Sequence, residues 1–291
     1  MGRTDMSLDS IDFTPWIGRS VEEMDIITPR LLSEYRVTFD PHLAALPDQE
    51  VPLGFHWCLS PFLAPASALG PDGHPAKGGF LPPVPLPRRM WAGGHIDFLA
   101  PLRSGDHVRR RSTIASIDFK QGRSGALCFV GVQHEYFTGR GLAISEQHNI
   151  VYREAPSLAT KSPEASLPVA KAEPAPGGSH QSWLIDPTTT MLFRYSAITF
   201  NGHRIHYDQP YATAAEGYAG LVVHGPMQAT LMLNLAASQR PVPPRHFSYR
   251  GLAPLVAGRA FEVQAAFDGE KADCLTQVPG GPINMQGEVK W

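Results

Sequence analysis

Over residues 111–119 (RSTIASIDF) and 126–137 (ALCFVGVQHEYF) apolar and polar side chains alternate, or run apolar through β-branched and aromatic residues. That is the two-residue period of strands. QGRSG between them predicts a hairpin turn, and EQHNIVY at 146–152 predicts the last strand of the same sheet. Past residue 180 the period changes. Met191 to Ala197 starts a new segment, 210–219 reads as short and helical, and Pro226 to Leu235 is the strongest helix candidate. Pro226 suits a first helical position because the N–H it lacks has no intrahelical partner there, and Gly225 precedes it. Residues 247–291 return to strand and turn. The pattern predicts one long helix wrapped by an antiparallel sheet, a unit occurring twice.

Residues 153–180 lack apolar periodicity and are rich in Pro, Ala, Ser and Gly, the signature of a linker. They divide the chain into halves at 1–152 and 181–291. Each half carries a similar phrase, LAPLRSG at 99–105 and LAPLVAG at 252–258, followed in both cases by a strand-like run. Four matched small and apolar residues are cheap by chance, but their equivalent placement favours a duplicated domain. The expectation is an α+β fold with two tandem copies.

Composition narrows the class of partner. The chain has 291 residues, 43% of them hydrophobic, and a formal charge of -2. This is neither the basic stripe of a nucleic-acid binder nor the low apolar content of a disordered chain, so a small-molecule partner is expected. Gly (27) and Pro (28) are abundant, which suits short strands joined by turns. Cys58, Cys128 and Cys274 are odd in number and widely spaced, with no CxxC pair and no hydrophobic leader, implying reduced thiols and a cytoplasmic protein. No apolar run approaches the ~20 residues needed to span a bilayer. No GxGxxG or GxxxxGK[ST] fingerprint occurs, and no cofactor is expected.

The chemistry concentrates in YSAITFNGHRIHYDQPYA (195–212) and GLVVHGPMQATLML (220–233). His206, Asp208 and Tyr211-Ala212, then Val223-His224-Gly225, resemble the pattern of the MaoC-type hydratase/dehydratase family of hot-dog folds, with two departures: Asn201 in place of an aspartate and His203-Arg204 in place of an Asn-Pro pair. TFNGHRIHYD, together with FLPPVPLPRRMWAGG at 80–94 and YRGLAPL at 249–255, resembles one branch, which has an N-terminal dehydratase domain of fatty-acid-synthase type. Its members include itaconyl-CoA and mesaconyl-C4-CoA hydratases and mitochondrial 3-hydroxyacyl-thioester dehydratases. The resemblance implies a double hot-dog, a CoA thioester as partner and, by analogy, a homodimer.

It also implies roles. His206 fills the catalytic histidine position, and an imidazole titrating near neutrality can take and return one proton. Asn201 stands where the family has a catalytic aspartate. An amide orients water but cannot ionise, so Asn201 positions the nucleophile while His206 transfers the proton, or Asp208 or Glu216 supplies a second relay. The Gly225 amide, at the positive end of a helix, is the candidate donor to the enolate oxygen, and glycine lets the thioester approach closely. His224 either bonds the turn or acts directly. His203 and His206 have metal-like spacing, but no acidic or thiolate partner completes a set in the sequence, so no metal is expected. Arg204 is either a phosphate contact or a salt-bridge partner. Arg88, Arg89 and Trp91 follow a stiff proline run in the half without the motif. There, either arginine is a candidate for a substrate's free carboxylate, against a null of solvated charge. The expected activity is hydration of a short enoyl-CoA, itaconyl-CoA or mesaconyl-C4-CoA giving citramalyl-CoA. The alternatives are a fatty-acid or polyketide-type dehydratase, a thioesterase, or a silent acyl-CoA binding module.

Overall fold

In a computed structural model, residues 11–47, 49–122, 125–154 and 178–291 are described. The first half runs β1 (Ser20–Ile26), α1 (Pro29–Phe39), β2 (Arg88–Phe98), β3 (His107–Gly122), β4 (Gly125–Thr138) and β5 (Gly141–Arg153). The second runs β6 (His180–Ile185), α2 (Thr189–Ile198), α3 (Gly225–Ala237), β7 (His246–Gly251), β8 (Phe261–Asp268), β9 (Lys271–Gln277) and β10 (Ile283–Lys290). The segment expected as a linker lies mostly outside the described residues, as does the tip of the β3–β4 hairpin.

The strands form one ten-stranded antiparallel sheet in the order β1-β3-β4-β5-β2-β7-β10-β9-β8-β6. Read inward from either edge, the two halves have the same order, strand for strand. Each begins strand, capped helix: Thr28 Oγ1 accepts from the Leu31 N–H and Thr188 Oγ1 from the Met191 N–H, satisfying a first-turn donor at each helix. The LAPL phrases leave β2 and β7 at equivalent points. Those two strands form the seam, with Gly94 opposite Tyr249 and Ile96 opposite Phe247.

Alternation holds where one sheet face is buried. Along β8, Phe261, Val263, Ala265 and Phe267 point into the core and their neighbours outward. α3 departs from amphipathicity: all residues from Met227 to Ala237 are buried, as befits a helix wrapped by sheet and loops on every side. Two of its polar members are satisfied internally, while the Thr230 hydroxyl is left without a partner among the described residues. Asn234 receives a hydrogen bond from the Ala44 N–H and donates to the carbonyls of Leu53 and Thr230, while Gln228 accepts from Thr276. Asn234 thereby ties the second-half helix to a first-half loop.

The second long helix is where structure and pattern differ. At the place equivalent to α3 the first half has only the 3-10 turn Phe55–Cys58. Prolines at 41, 47, 52, 61, 65, 71 and 75 remove donors and clash with a continuing helix. The chain between α1 and β2 becomes a long loop system reaching into the second half. The tract expected as a stiff proline run becomes strand from Arg88 onward, so Arg88, Arg89 and Trp91 sit on the seam strand. The three cysteines are free and buried. Among the described residues no helix is long and apolar enough to cross a membrane.

Candidate active site

Where α2 ends, the Asn201 N–H bonds the Ser196 carbonyl, and the Asn201 side-chain oxygen accepts the His203 N–H at 2.9 Å. This Asx turn aims the next residues back across the helix end. A 3-10 turn, Arg204–His206, follows. The Val222 N–H bonds the Ile205 carbonyl, and His206 Nδ1 lies 2.7 Å from the Val222 carbonyl. A carbonyl only accepts, so Nδ1 carries the hydrogen and Nε2 keeps a lone pair. His206 is 7% exposed. Burial lowers its pKa to about 4 against the opposing bond to Val222, with His74 adding to the depression, so the ring is a neutral base at pH 7.

The His224 ring stacks on that of His206, with centroids 3.6 Å apart and planes 19° apart. His224 is fully buried, with Nε2 2.8 Å from Ser196 Oγ and Nδ1 without a partner. Burial first, then His206 and His203, hold it well below the usual imidazole range. It is a wall behind His206 that bonds inward to α2. His224 is also the N-cap of α3 and makes no side-chain cap. Pro226 has no N–H, so the amides of Gly225 and Met227 stand uncapped at the positive helix end, beside the His206–His224 stack. The expected reason for glycine at 225 needs correction. A Cβ there would lie 2.5 Å from Trp91 Cε3, so the space is filled by the indole and the glycine admits Trp91. Trp91 in turn stacks on Tyr249 at 4.5 Å and meets Trp57 edge-on.

The arginines separate. Arg88 is buried, with Nε 3.3 Å from Glu216 and a further bond to the Glu216 carbonyl. Arg204 pairs with Asp208 through Nε and Nη2, donates to the Pro71 carbonyl, and lies over the Tyr211 ring. Both are tied into the fold, so Glu216 and Asp208 are committed partners too. Arg89 is half-buried and enters no ion pair among the described residues. Its charge reaches His74, His203, His148 and Tyr152.

Two residues come in that sequence reasoning missed. Asp72 and His74, from the first-half turn GPDGHP at 70–75, dock against residues 202–204. The Arg204 N–H bonds the Asp72 carbonyl at 2.9 Å. The rings of His74 and His203 lie 4.3 Å apart, and the His203 ring meets His206 edge-on at 5.4 Å. Burial lowers the pKa of His203, with His74 and His206 adding to it. One side-chain nitrogen or oxygen from each of Asp72, His74 and His203 lies within 4.8 Å of the other two. An acidic residue, Asp72, thus lies beside His203 across the halves, but with His74 and not with the His203–His206 pair whose spacing was metal-like. The only signal was a turn sequence holding a carboxylate and an imidazole two residues apart. Concavities of about 310 and 540 Å³, near Pro41 and near Arg250, contain none of these groups.

A family model for "hydroxyacyl-thioester dehydratase type 2" matches residues 54–257. The chain is 40% identical over 285 residues to the mesaconyl-C(4)-CoA hydratase of Chloroflexus aurantiacus, covering 97% of this chain and 99% of that one. A MaoC-like dehydratase superposes with a TM-score of 0.69 at 15% identity, over 98% of this chain and 99% of the other. A conserved hypothetical protein of Mycobacterium tuberculosis described as a double hotdog fold matches with a TM-score of 0.55 at 12% identity, over 97% of each. The expected α+β double hot-dog is borne out.

Proposed function

The chain belongs to the hydroxyacyl-thioester dehydratase type 2 family, and from that premise we propose that it is an acyl-CoA hydratase acting on a short dicarboxylic enoyl thioester. Mesaconyl-C4-CoA is the first candidate and itaconyl-CoA the second, both giving citramalyl-CoA. The observation that carries this reading is His206: a buried neutral imidazole, its Nδ1 on the Val222 carbonyl, stacked on the residue that opens α3. Kinship over nearly the full length to a mesaconyl-C(4)-CoA hydratase supports the substrate.

In this reading, with mesaconyl-C4-CoA, whose double bond is conjugated to the thioester, His206 Nε2 takes a proton from water as the water oxygen adds to the β-carbon. The thioester oxygen gathers negative charge against the uncapped α3 amides, chiefly that of Gly225. The proton held on His206 then passes to the α-carbon. In mesaconyl-C4-CoA the free carboxylate sits on the carbon receiving the hydroxyl, so its cationic partner belongs near the histidines. Arg89, which enters no ion pair among the described residues and whose charge acts on His74 and His203, fits that place, and Arg88, paired with Glu216, does not. No cofactor beyond the substrate's own CoA is needed. A cytoplasmic homodimer completes the reading. The seam pairing of β2 with β7 is already made within one chain, so a second copy would dock elsewhere.

The test follows loss of enoyl-thioester absorbance with mesaconyl-C4-CoA and crotonyl-CoA, and formation of citramalyl-CoA by mass spectrometry with itaconyl-CoA, whose double bond is not conjugated to the thioester. Turnover should favour the dicarboxylic substrates, His206→Ala should lose on the order of 10³-fold or more, and Arg89→Ala should raise KM for the dicarboxylic substrates alone. Wild-type rates in His206→Ala, or no turnover of any of the three, would overturn the reading. Preference for crotonyl-CoA would favour the fatty-acid type.

A further inference from the structure

We propose that Asp72 and His74, delivered by the first half, form with His203 the water-orienting group of the second-half site, in place of the carboxylate that the MaoC-type pattern has where Asn201 stands. The proposal rests on the hydratase reading above and names positioning residues for its nucleophile.

Asn201 cannot do this work as it stands. Its side-chain oxygen is already held by the His203 N–H, which leaves it one lone pair in a direction fixed by the turn, and the rest of the group is an NH₂ donor that, unlike a carboxylate, offers no second acceptor oxygen. Water about to lose a proton to His206 needs a second acceptor to fix its lone pair toward the β-carbon. His74 is built to be one. Asp72 Oδ1 accepts the His74 backbone N–H, and Oδ2 lies 3.1 Å from His74 Nδ1. A carboxylate accepts only, so Nδ1 holds the hydrogen and Nε2 is left as an acceptor. Burial favours a neutral Asp72, but the hydrogen bonds from His74, with the charge of Arg89 adding to them, outweigh it and hold the carboxyl well below its usual range.

The pair is fixed in place. Gly73 has φ +87°, and a Cβ there would fall 2.0 Å from the Gly202 carbonyl oxygen, so only glycine allows the two turns to touch. Arg204 clamps the same contact through its backbone N–H to Asp72 and its guanidinium to Pro71. One polar side-chain atom from each of Asp72, His74 and His203 lies within 4.8 Å of the other two, a span that a single water bridges with two ordinary hydrogen bonds. A divalent cation is disfavoured there by the charge of Arg89 and by the engagement of His74 Nδ1 with Asp72.

The step balances without a net proton for the pair. One O–H bond of water breaks toward His206, the oxygen bonds the β-carbon, the π electrons move onto the thioester, and the α-carbon recovers the proton from His206. The second hydrogen stays on oxygen and points at His74 Nε2 throughout.

Asp72→Asn tests this. Asparagine would keep its oxygen on the His74 N–H and turn its NH₂ toward Nδ1, inverting the tautomer and making Nε2 a donor, as in the aspartate-to-asparagine change of a serine-protease triad. The variant should lose on the order of 10²-fold in kcat with KM and the melting temperature near wild type. Adding Asn201→Asp should restore most of that loss by returning a carboxylate to the family position. EDTA should leave wild-type turnover unchanged. Wild-type kcat in Asp72→Asn, a loss that Asn201→Asp does not recover, or activity abolished by EDTA and restored by zinc would each overturn the proposal. His206→Ala is run alongside: if it retains activity, the hydratase reading falls, whatever Asp72→Asn does.

Discussion

At the scale of single residues, the site is held by close contacts that leave little room for substitution. Gly225 is the sharpest case, because its missing side chain is replaced by Trp91 and the same residue supplies an uncapped amide. Gly225→Ala should displace the indole or the start of α3, costing about 1–3 kcal/mol of stability as overpacking does. It should lower kcat more than it raises KM, because the amide acts on charge that develops during the reaction. Urea unfolding together with steady-state kinetics would check both. Wild-type values in each would mean that Trp91 and the α3 start are not in firm contact. His206, His224 and Gly225 were legible in sequence because they lie within one contiguous block of motif. Asp72 and His74 were not, since a turn tetrad far back along the chain carries no mark of where it will dock.

At the scale of elements, the seam between β2 and β7 is braced by a buried carboxylate. Glu146 on β5 is 1% exposed and accepts from Trp57 Nε1 at 2.9 Å and from the Tyr249 hydroxyl at 3.0 Å, with His56 Nε2 3.5 Å away. Burial pushes its pKa up, but the His56 interaction and the neighbouring imidazoles hold it below the ordinary range. Trp57 and Tyr249 are the rings that pack on Trp91, so the carboxylate indirectly fixes the wall against Gly225. Glu146→Ala should cost about 3–5 kcal/mol, because it strands several buried donors at once, and should lower activity without any direct contact with substrate. A loss below about 1 kcal/mol would show that water already serves those donors. The strands themselves were readable from alternation, and α3 from its capless Gly-Pro start. The lack of a second long helix was not read, because the duplicated phrase suggested two equal units while the prolines from 41 to 75 that exclude the helix were not weighed against it. Nor was the seam, because pairing between strands so far apart in the chain leaves no local periodic trace.

Across the whole molecule, the joining of two halves puts many imidazoles out of water, and that sets the pH at which the fold fails. His206 and His148 have pKa values lowered to about 4 and His134 to about 3, in each case chiefly by burial. An unfolded imidazole titrates at about 6.5. Between those values the unfolded chain binds protons that the folded chain refuses, so stability is full above about pH 6.5 and falls as pH drops toward 4. Each such group contributes about 1.4 kcal/mol per pH unit across its window. Asp72 and Glu146 are depressed in the same sense, so each adds a loss of its own once pH falls below the ordinary carboxylate range. Urea unfolding should therefore give a flat stability from pH 8 to 7 and a steep decline from 6.5 to 4. Near pH 5 more than one proton should be taken up per molecule unfolded. Because His206 stays in its basic form until about pH 4, kcat/KM measured on still-folded protein should not show an acid limb near 6.5. A limb at that position, with stability unchanged down to pH 5, would mean that the histidines face solvent and that the two halves do not close over the site.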